Sequence, residues 1–327
     1  MRTPDHGVGD TYARTAIDTV PRILGMMDRS SDATTYGCSD RNYWHYGIVD
    51  FPNARYQEAS LLVAQATACN TPGNALFDHA LAVEWARAAV TYWASIQKRD
   101  GSFDEVYPNE RSYVATAFTT WAVGRTCELL DLHQADEALE RAAIWLSIHE
   151  NADVSNQVAG AAAAIHLVGQ RLENDDLMFA AAEKRDRLLS AQTPEGWFPE
   201  YGGWDIGYLS ICLGYLTWLA CQTADDDLIA ASHRAADFVE QKVRQDGTCD
   251  INGSSRCTQY LYPSGFARLG RLDILTRHER GVALGRVMNP TWMDDRFFAP
   301  LASDYLTTHL ELTRDQQHVA PDHAQAV

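Results

Sequence analysis

The sequence contains no CxxC pair, although seven of its 327 residues are cysteines. The cysteines are odd in number and scattered, and most lie inside apolar helical patterns: Cys38, Cys69, Cys127, Cys212, Cys221, Cys249 and Cys257. This spacing indicates neither a zinc cluster nor a disulfide framework. We therefore predict that the cysteines are small, buried hydrophobic residues in a reducing compartment. We also predict that the protein binds no metal and no other cofactor.

The chain also lacks a long apolar run. The charge-free segment at 209–220 is shorter than the roughly 18 to 20 residues that span a bilayer. The first residues, MRTPDHGVGDTYARTAIDTVPRILGMM, contain neither the apolar core of a signal peptide nor a small-residue cleavage site. These absences predict a cytoplasmic protein that does not associate with membranes.

Basic residues are few compared with acidic ones. The chain has 27 Lys and Arg against 44 Asp and Glu, which gives a formal net charge of −17. Such a surface repels phosphate backbones and anionic membranes, so we predict that the protein does not bind nucleic acid. If the ligand is anionic, a few arginines must attract it against this background.

Strand signals are nearly absent, and long segments follow the helical period. No Pro/Ser-rich linker divides the chain, so we predict a single all-α domain over residues 1–312 and a flexible C-terminal tail over 313–327. The periodicity predicts twelve helices, at 10–28, 53–70, 78–98, 112–131, 134–150, 155–172, 176–191, 205–222, 226–245, 256–272, 275–288 and 294–312.

The predicted helices alternate in character. One set is amphipathic and charged, such as DDLIAASHRAADFVEQKVRQD, and the other is apolar or small almost all round, such as SNQVAGAAAAIHLVG. A helix that is apolar on every face must be buried, whereas a helix with one apolar stripe lies at the surface. Six outer and inner pairs in strict alternation predict a closed ring of six helical hairpins, an (α/α)6 toroid.

A short repeat supports this arrangement. SIQKRDGSFDE, LSAQTPEGWFPE and KVRQDGTCDIN each follow an outer helix and share a glycine with an aromatic residue or cysteine two positions later. We expect the glycine in the left-handed conformation at the helix C-terminus, with the following side chain turned inward. TTYGCSDRNYWHYG is a looser equivalent in the first hairpin.

All six connections from an outer to an inner helix would lie on one rim, and these loops are rich in charged and aromatic residues. The loops of the opposite rim, such as CNTPGNALF, are short and contain few charged or aromatic residues. Each inner helix would also direct the free N–H groups of its N-terminus to the first rim. We therefore predict a pocket there for a negatively charged or oxygen-rich ligand.

Particular side chains of this rim are candidates for the site. Structural explanations remain open for several of them, including Tyr208 and Glu200; Asp205 is also explained as an N-cap, and His45 as a packing residue between two aromatic neighbours. The candidate catalytic residues are His45, Tyr113, Glu200, Asp205 and Tyr208. The candidate substrate-binding residues are Trp44, Arg55, Glu58, Arg111, Asn156, Trp204, Arg256 and Tyr260.

The alternating hairpins and the Q-x2-[DE]-G-x-F turns at 97–103 and 192–198 resemble the α,α-toroid superfamily. That group includes six-hairpin glycosidases, polysaccharide lyases and terpenoid cyclases, and the segment GWFPEYGGWDIGYLS looks most like proteins of the heparinase type. The resemblance covers roughly residues 10–312. The D-x-D-D motif of the cyclases and the Asp-rich motifs of prenyl-diphosphate enzymes are missing. Many toroid lyases carry a β-sandwich after the toroid, so we expect a toroid-only version if this protein is a lyase.

The resemblance and the rim together predict an enzyme that acts on an oligo- or polysaccharide, with a uronate-containing carbohydrate as its partner. In β-elimination, an Arg or Asn neutralises the uronate carboxylate while a Tyr or His removes a proton. In glycoside hydrolysis, two carboxylates flank the bond. The candidate neutralising groups are Arg55, Arg111, Arg256 and Asn156; the proton-transfer groups are His45, Tyr113 and Tyr208; the carboxylates are Glu200, Asp205, Asp104 and Glu58.

The arginines and tyrosines of the rim favour elimination slightly over hydrolysis. Two other classes stay open. A terpenoid cyclase or prenyltransferase would need an apolar cavity, and a non-catalytic glycan-binding protein would bind its ligand without turnover.

Overall fold

The computed structural model describes residues 7–151 and 153–319. Within these residues the chain forms helices and isolated β-bridges but no strand. Two short 3-10 helices lie at Ala54–Glu58 and Pro290–Trp292. The α-helices are α1 (Asp10–Ile17), α2 (Val20–Met26), α3 (Arg41–Trp44), α4 (Ala59–Ala68), α5 (Ala80–Ser95), α6 (Tyr113–Leu130), α7 (Asp136–Ile148), α8 (Ser155–Arg171), α9 (Asp175–Ser190), α10 (Ile206–Thr223), α11 (Asp226–Lys242), α12 (Ser264–Arg268), α13 (Leu272–Ala283) and α14 (Phe298–Val319).

Six of these helices form a closed inner ring. Helices α4, α6, α8, α10, α12 and α14 each contact the next, and α14 contacts α4 again. Helices α1, α5, α7, α9, α11 and α13 each pack against one or two inner helices from outside. The predicted all-α fold, an (α/α)6 toroid of six hairpins, is confirmed.

The burial of the helices agrees with their composition. Every residue of α8 from Ser155 to Gly169 is buried, because the helix contacts α6, α7, α9 and α10. Its alanines and glycines allow this close approach on all sides. Outer helix α11 instead buries a single stripe, which includes Leu228, Ala235 and Val239. The alternation of apolar and amphipathic helices therefore follows from the complete burial of inner helices and the one-sided burial of outer helices, as the sequence indicated.

The repeated turns attach each hairpin to the next outer helix. The Gln97 side-chain amide donates hydrogen bonds to the backbone oxygens of Gly101 (3.1 Å) and of Ala138 on α7 (2.7 Å). Gly101 has a φ of 96°, and a Cβ there would lie 2.3 Å from the backbone oxygen of Arg141. Only glycine fits this left-handed position so close to a neighbouring helix.

Two other turns repeat this pattern. The Gln192 amide donates to the backbone oxygens of Gly196 and Ala231, both at 2.8 Å. In the first hairpin Gln57, which follows Gly37 by 20 residues, makes the equivalent bonds to the backbone oxygens of Gly37 and Ala89, both at 3.0 Å. The expected location at helix C-termini was wrong, because α5 and α9 end several residues before their glycines.

Several predicted helix limits differ from the structure. The segment 10–28 forms two helices, with Pro21 in the first turn of the second. Of 256–272 only α12 is helical before residue 272, since Pro263 disfavours helical conformation in the residue before it. Helix α14 continues to Val319, beyond the predicted end at 312. Residues 320–327 of the predicted tail lie outside the described residues.

No helix in the described part of the chain combines the length and apolar character that a bilayer span requires. The cytoplasmic location indicated by the sequence stays a prediction.

Candidate active site at the mouth of the toroid

A cavity of about 240 Å3 lies at the rim where the inner helices begin. Helices contribute the side chains of their first turns, and the long loops of this rim contribute the others. The lining is polar and aromatic around a small apolar floor: Arg55, Glu58, Glu105, Val114, Phe118, Asn156, Gln157, Tyr201, Tyr208, Ile211, Tyr215, Arg256, Tyr260, Tyr262, Met293, Arg296, Phe297 and Pro300.

A chain of alternating charges crosses one wall of the cavity. Arg55 Nε donates to Glu58 Oε1, and Arg55 Nη1 lies 3.9 Å from Glu105 Oε1. Arg296 Nη1 donates to the same Glu105 oxygen at 2.8 Å. The other Glu105 oxygen accepts a hydrogen bond from Ser112 Oγ at 3.1 Å. Arg55, Arg296 and Ser112 therefore hold the carboxylates of Glu58 and Glu105 in place.

Glu58 combines burial with a position facing the cavity. Its side chain is 5% exposed. Burial raises the pKa of Glu58 above the ordinary range of a glutamate, although the Arg55 charge and hydrogen bond lower it in part. A carboxyl group that retains its proton to higher pH is suited to donate that proton to a leaving group.

A second part of the lining is aromatic and carries another cationic group. The Arg256 guanidinium lies over the Tyr201 ring, 4.4 Å from its centroid, and has no ion pair with a described residue. The Tyr201 and Tyr208 rings are 5.7 Å apart. Tyr260 and Tyr262 form an edge contact with centroids 5.9 Å apart. This part of the lining offers aromatic faces, hydroxyl groups and an unpaired positive charge.

Glu200 does not line the cavity but holds Asn156, which does. Its carboxyl oxygens accept hydrogen bonds from the Asn156 backbone N–H (2.8 Å) and from Asn156 Nδ2 (2.7 Å). Glu200 is fully buried, and burial raises its pKa to about 8 against the lowering effect of these two bonds. The carboxyl group therefore caps α8 from the neighbouring hairpin and sets the orientation of Asn156.

Asp205 also lies behind the wall. It is the N-cap of α10, and its Oδ1 accepts the Tyr208 N–H at 3.1 Å. Its Oδ2 accepts from Ser254 Oγ (2.7 Å) and from the Thr258 N–H (3.1 Å). These hydrogen bonds fix the loop that carries Arg256.

The candidates of the first loop point away from the cavity. Trp44 Nε1 donates to the Met26 backbone oxygen at 2.7 Å, which ties the loop to the first hairpin. His45 is exposed and packs between the rings of Trp44 and Tyr46. These contacts agree with the packing explanation for His45.

Tyr113 and Arg111, in the second loop and the start of α6, also lie elsewhere. The Tyr113 ring packs toward Trp145 on α7, with centroids 6.2 Å apart, and burial raises its pKa. The Arg111 side chain is 65% exposed and pairs with Asp100 at 3.1 Å.

Trp204, from the fourth loop, packs against outer helix α11. The Trp204 and Phe238 ring centroids are 5.5 Å apart, and the Lys242 ammonium lies 4.8 Å from the centroid of the Trp204 ring. The structure thus brings together six of the thirteen candidates in the cavity: Arg55, Glu58, Asn156, Tyr208, Arg256 and Tyr260.

Sequence analysis did not single out several lining residues. Glu105, Tyr201 and Arg296 lie in loops of the predicted rim, but their directions depend on loop conformation. Tyr215 follows Tyr208 by seven residues, two helical turns, and this spacing places both on one face of α10. That signal was present in the sequence.

A second cavity of about 80 Å3 continues along the toroid axis and shares Glu58 with the first. Asp304 lines it and accepts hydrogen bonds from the N–H (3.0 Å) and hydroxyl of Ser264. Burial raises the pKa of Asp304 to about 6. Glu58 therefore faces a polar space on two sides, the mouth and the interior.

The helix N-termini were expected to attract an anion, but protein groups occupy several of their N–H donors. Asn53, Ser112 and Asp205 accept from the backbone at the starts of their helices. The positive groups that face the cavity are arginine side chains instead. Among the described residues, no group of three or more His, Cys, Asp or Glu side chains is arranged to hold a metal ion.

The fold is shared with solved structures of three enzymes that act on carbohydrates. The structure is similar to that of an unsaturated glucuronyl hydrolase specific for heparin, with a TM-score of 0.60 and 11% identity over 94% of this chain and 98% of that one. A family 76 glycoside hydrolase from a bovine Bacteroides thetaiotaomicron strain matches with a TM-score of 0.60 and 11% identity, over 93% of this chain and 78% of that one. A polysaccharide lyase matches with a TM-score of 0.58 and 11% identity, over 94% and 99%.

No protein-family model matches the chain, and no curated protein matches it. At 11% identity the three structural matches show a shared fold, in agreement with the predicted toroid.

Proposed function

We propose that this protein is a carbohydrate-active enzyme that acts on a uronate-containing oligo- or polysaccharide. The observation that carries the proposal is a single cavity in which three arginines and two carboxylates face five tyrosines. Guanidinium groups bind carboxylates in a directed, charge-assisted way, and tyrosines offer flat faces and hydroxyls to a sugar ring. The fold shared with two glycoside hydrolases and a polysaccharide lyase adds support.

Glycoside hydrolysis is the reaction that the side chains favour. Two carboxyl groups are required, one to donate a proton and one to activate water or stabilise the developing charge. Glu58, with its raised pKa, fits the proton donor, and Glu105, paired with Arg296, fits the second role. The interior cavity behind Glu58 is large enough for several water molecules at about 10–15 Å3 each.

β-Elimination is the second candidate, because Tyr208 lies in the cavity near a cationic group. The Tyr208 ring contacts Tyr201, whose ring lies under Arg256. Arg256 would neutralise the uronate carboxylate while Tyr208 removes the proton beside it. Of the three proton-transfer groups predicted for elimination, Tyr208 is the one that lines the cavity. The charged lining makes the cavity a poor host for an isoprenoid, so we do not propose a cyclase.

The reaction can be identified from its product. Hydrolysis of a saturated uronate oligosaccharide releases reducing ends without new ultraviolet absorbance, whereas elimination produces an absorbing unsaturated uronate. One structural match is named an unsaturated glucuronyl hydrolase. An enzyme with that specificity would act on the absorbing unsaturated uronate, and the absorbance would fall. A screen should therefore include saturated and unsaturated uronate oligosaccharides.

Tyr208→Phe separates the two mechanisms. If Tyr208 is the base of an elimination, the variant should lose about 100-fold or more in kcat, the usual value of a general base. A hydrolase that uses Glu58 and Glu105 should lose much less. Thermal stabilisation by a glycan without any product would identify a binding protein and contradict the enzymatic proposal.

A further inference from the structure

A groove meets the mouth cavity at Arg296. It has a volume of about 650 Å3 and lies open to solvent between the start of the first hairpin and the loops of the mouth rim. Its lining contains two acidic and two basic side chains, whereas basic groups outnumber acidic ones in the cavity. The lining residues are Arg22, Asn53, Tyr56, Val106, Asp294, Asp295 and Arg296.

The size of the cavity indicates that a glycan must extend beyond it. About 240 Å3 lies below the roughly 300 Å3 at which pockets for drug-sized ligands begin, so it accommodates one sugar unit. The unit linked to that sugar has to occupy a neighbouring surface. The groove shares Arg296 with the cavity, and its volume of about 650 Å3 exceeds the 240 Å3 of the cavity.

The charges of the groove differ from those of the cavity. Arg22 is neutralised by Asp295, to which its Nε donates at 2.9 Å. Arg296 directs its guanidinium to Glu105 in the cavity, at 2.8 Å. Asp294 remains without a cationic partner among the described residues, and its Oδ1 accepts the N–H groups of Arg296 and Phe297 at 2.9 and 3.1 Å.

The groove also contains a surface for an uncharged sugar. Tyr56 is half-buried and contributes the one aromatic ring of the lining, next to the amide of Asn53. An aromatic face beside hydrogen-bonding groups suits a sugar ring with free hydroxyls. A second carboxylate or a sulfate would instead meet Asp294 and the field of a chain with net charge −17.

We propose that the groove binds a neutral sugar next to the anionic sugar held in the cavity. The substrate class is therefore a glycan in which an isolated uronate is joined to an uncharged sugar. Polyuronates and sulfated chains are disfavoured. This inference rests on the proposed function and adds the identity of the second sugar.

The test compares trisaccharides that differ only in the second unit. One set places a neutral hexose beside the uronate, another a second uronate, and a third a sulfated sugar, each with 1,3- and 1,4-linkages. Binding by calorimetry and turnover are measured for each. We expect the neutral set to be bound and turned over at least tenfold better than either anionic set.

Asp294→Asn sharpens the test, because asparagine keeps the backbone hydrogen bonds of the turn and removes the charge. The preference for the neutral set over the anionic sets should fall about fivefold. Asp131→Asn is the matched control, since Asp131 is 97% exposed and lies beyond the C-terminal end of α6 at the opposite rim. It should leave the preference unchanged.

The outcomes separate the inference from the proposed function. Equal use of neutral and anionic trisaccharides would overturn the inference and leave the function in place. A preference that Asp294→Asn does not alter, or that Asp131→Asn alters equally, would overturn the role of the groove. Absence of binding and turnover for every glycan would overturn the proposed function, and the inference with it.

Discussion

The two rims of the toroid connect the same helices but differ in length and chemistry. At the rim opposite the mouth, the connections 131–135, 172–174 and 224–225 are short. Each uses one left-handed residue to reverse the chain, with φ of 51° at Asp131, 52° at Glu173 and 51° at Ala224. At the mouth rim, the connections 27–53, 96–112 and 243–263 are several times longer.

The difference shows how one architecture separates stability from function. A short turn with one left-handed residue is sufficient to close a hairpin, and it leaves few side chains for a ligand. The long loops carry side chains that other loops hold in place, as Asp205 does for the loop with Arg256. The mouth therefore gathers three arginines in a chain whose net charge is −17.

The largest expected effect at the mouth is that of Glu58→Gln. Glutamine keeps an oxygen that can accept from Arg55 but cannot donate a carboxylic proton. We expect kcat to fall by about 10²–10⁴-fold, the usual contribution of a general acid. Reducing-end release under saturating substrate is the measurement.

The matched control is Glu137→Gln on outer helix α7, where the side chain is 86% exposed. It should have wild-type activity. Urea unfolding of both variants shows whether the loss in Glu58→Gln comes from the site or from the buried ion pair with Arg55. A Glu58→Gln protein that stays folded and active would remove Glu58 from the mechanism.

The turns of the two rims can be compared directly with glycine substitutions. Gly101→Ala at the mouth rim places a Cβ 2.3 Å from the Arg141 oxygen and should destabilise the protein by about 3–5 kcal/mol. Gly73→Ala at the opposite rim has a similar φ of 86° but no atom within 4 Å of the added Cβ. It should cost only the strain of the left-handed conformation, about 1–2 kcal/mol. Urea denaturation measures both, and equal losses would mean that the contact with α7 contributes nothing.

The fold could be predicted because its signals are local. Complete burial of α8 and one-sided burial of α11 appear directly in the composition of each segment. The ends of elements were less predictable where turn chemistry decides them. The segment before α12 is non-helical because Pro263 precedes the helix and because Thr258 is bound to Asp205.

The site could be predicted only where helix geometry fixes the direction of a side chain. Arg55, Glu58 and Tyr208 lie in the first turns of inner elements and line the cavity. Tyr113 fails this rule by one position, since adjacent residues on a helix point about 100° apart and Val114 faces the cavity instead. The direction of Trp204 depends on a loop, for which the sequence has no comparable period.

The last prediction concerns pH and Glu200, which supports the mouth from behind. Burial raises the pKa of Glu200 from 4.5 to about 8, so the folded state favours the neutral acid. The contribution of neutral Glu200 to stability is complete below its pKa in the unfolded chain. This contribution is lost as pH rises through its pKa in the folded protein. Between pH 4.5 and about 8, the free energy of unfolding should fall by up to about 1.4 kcal/mol per pH unit. Glu200→Gln, which resembles the neutral acid, should flatten that part of the profile.

Thermal unfolding across this pH range measures the effect, with Glu137→Gln as the control. A wild-type profile as flat as that of Glu200→Gln would mean that the two hydrogen bonds from Asn156 outweigh burial and hold the carboxylate ionised. The mouth would then have a negative charge directly behind Asn156 at every working pH. If the profile falls as expected, that charge appears only as pH rises toward about 8, and the affinity for a uronate should decline over the same interval.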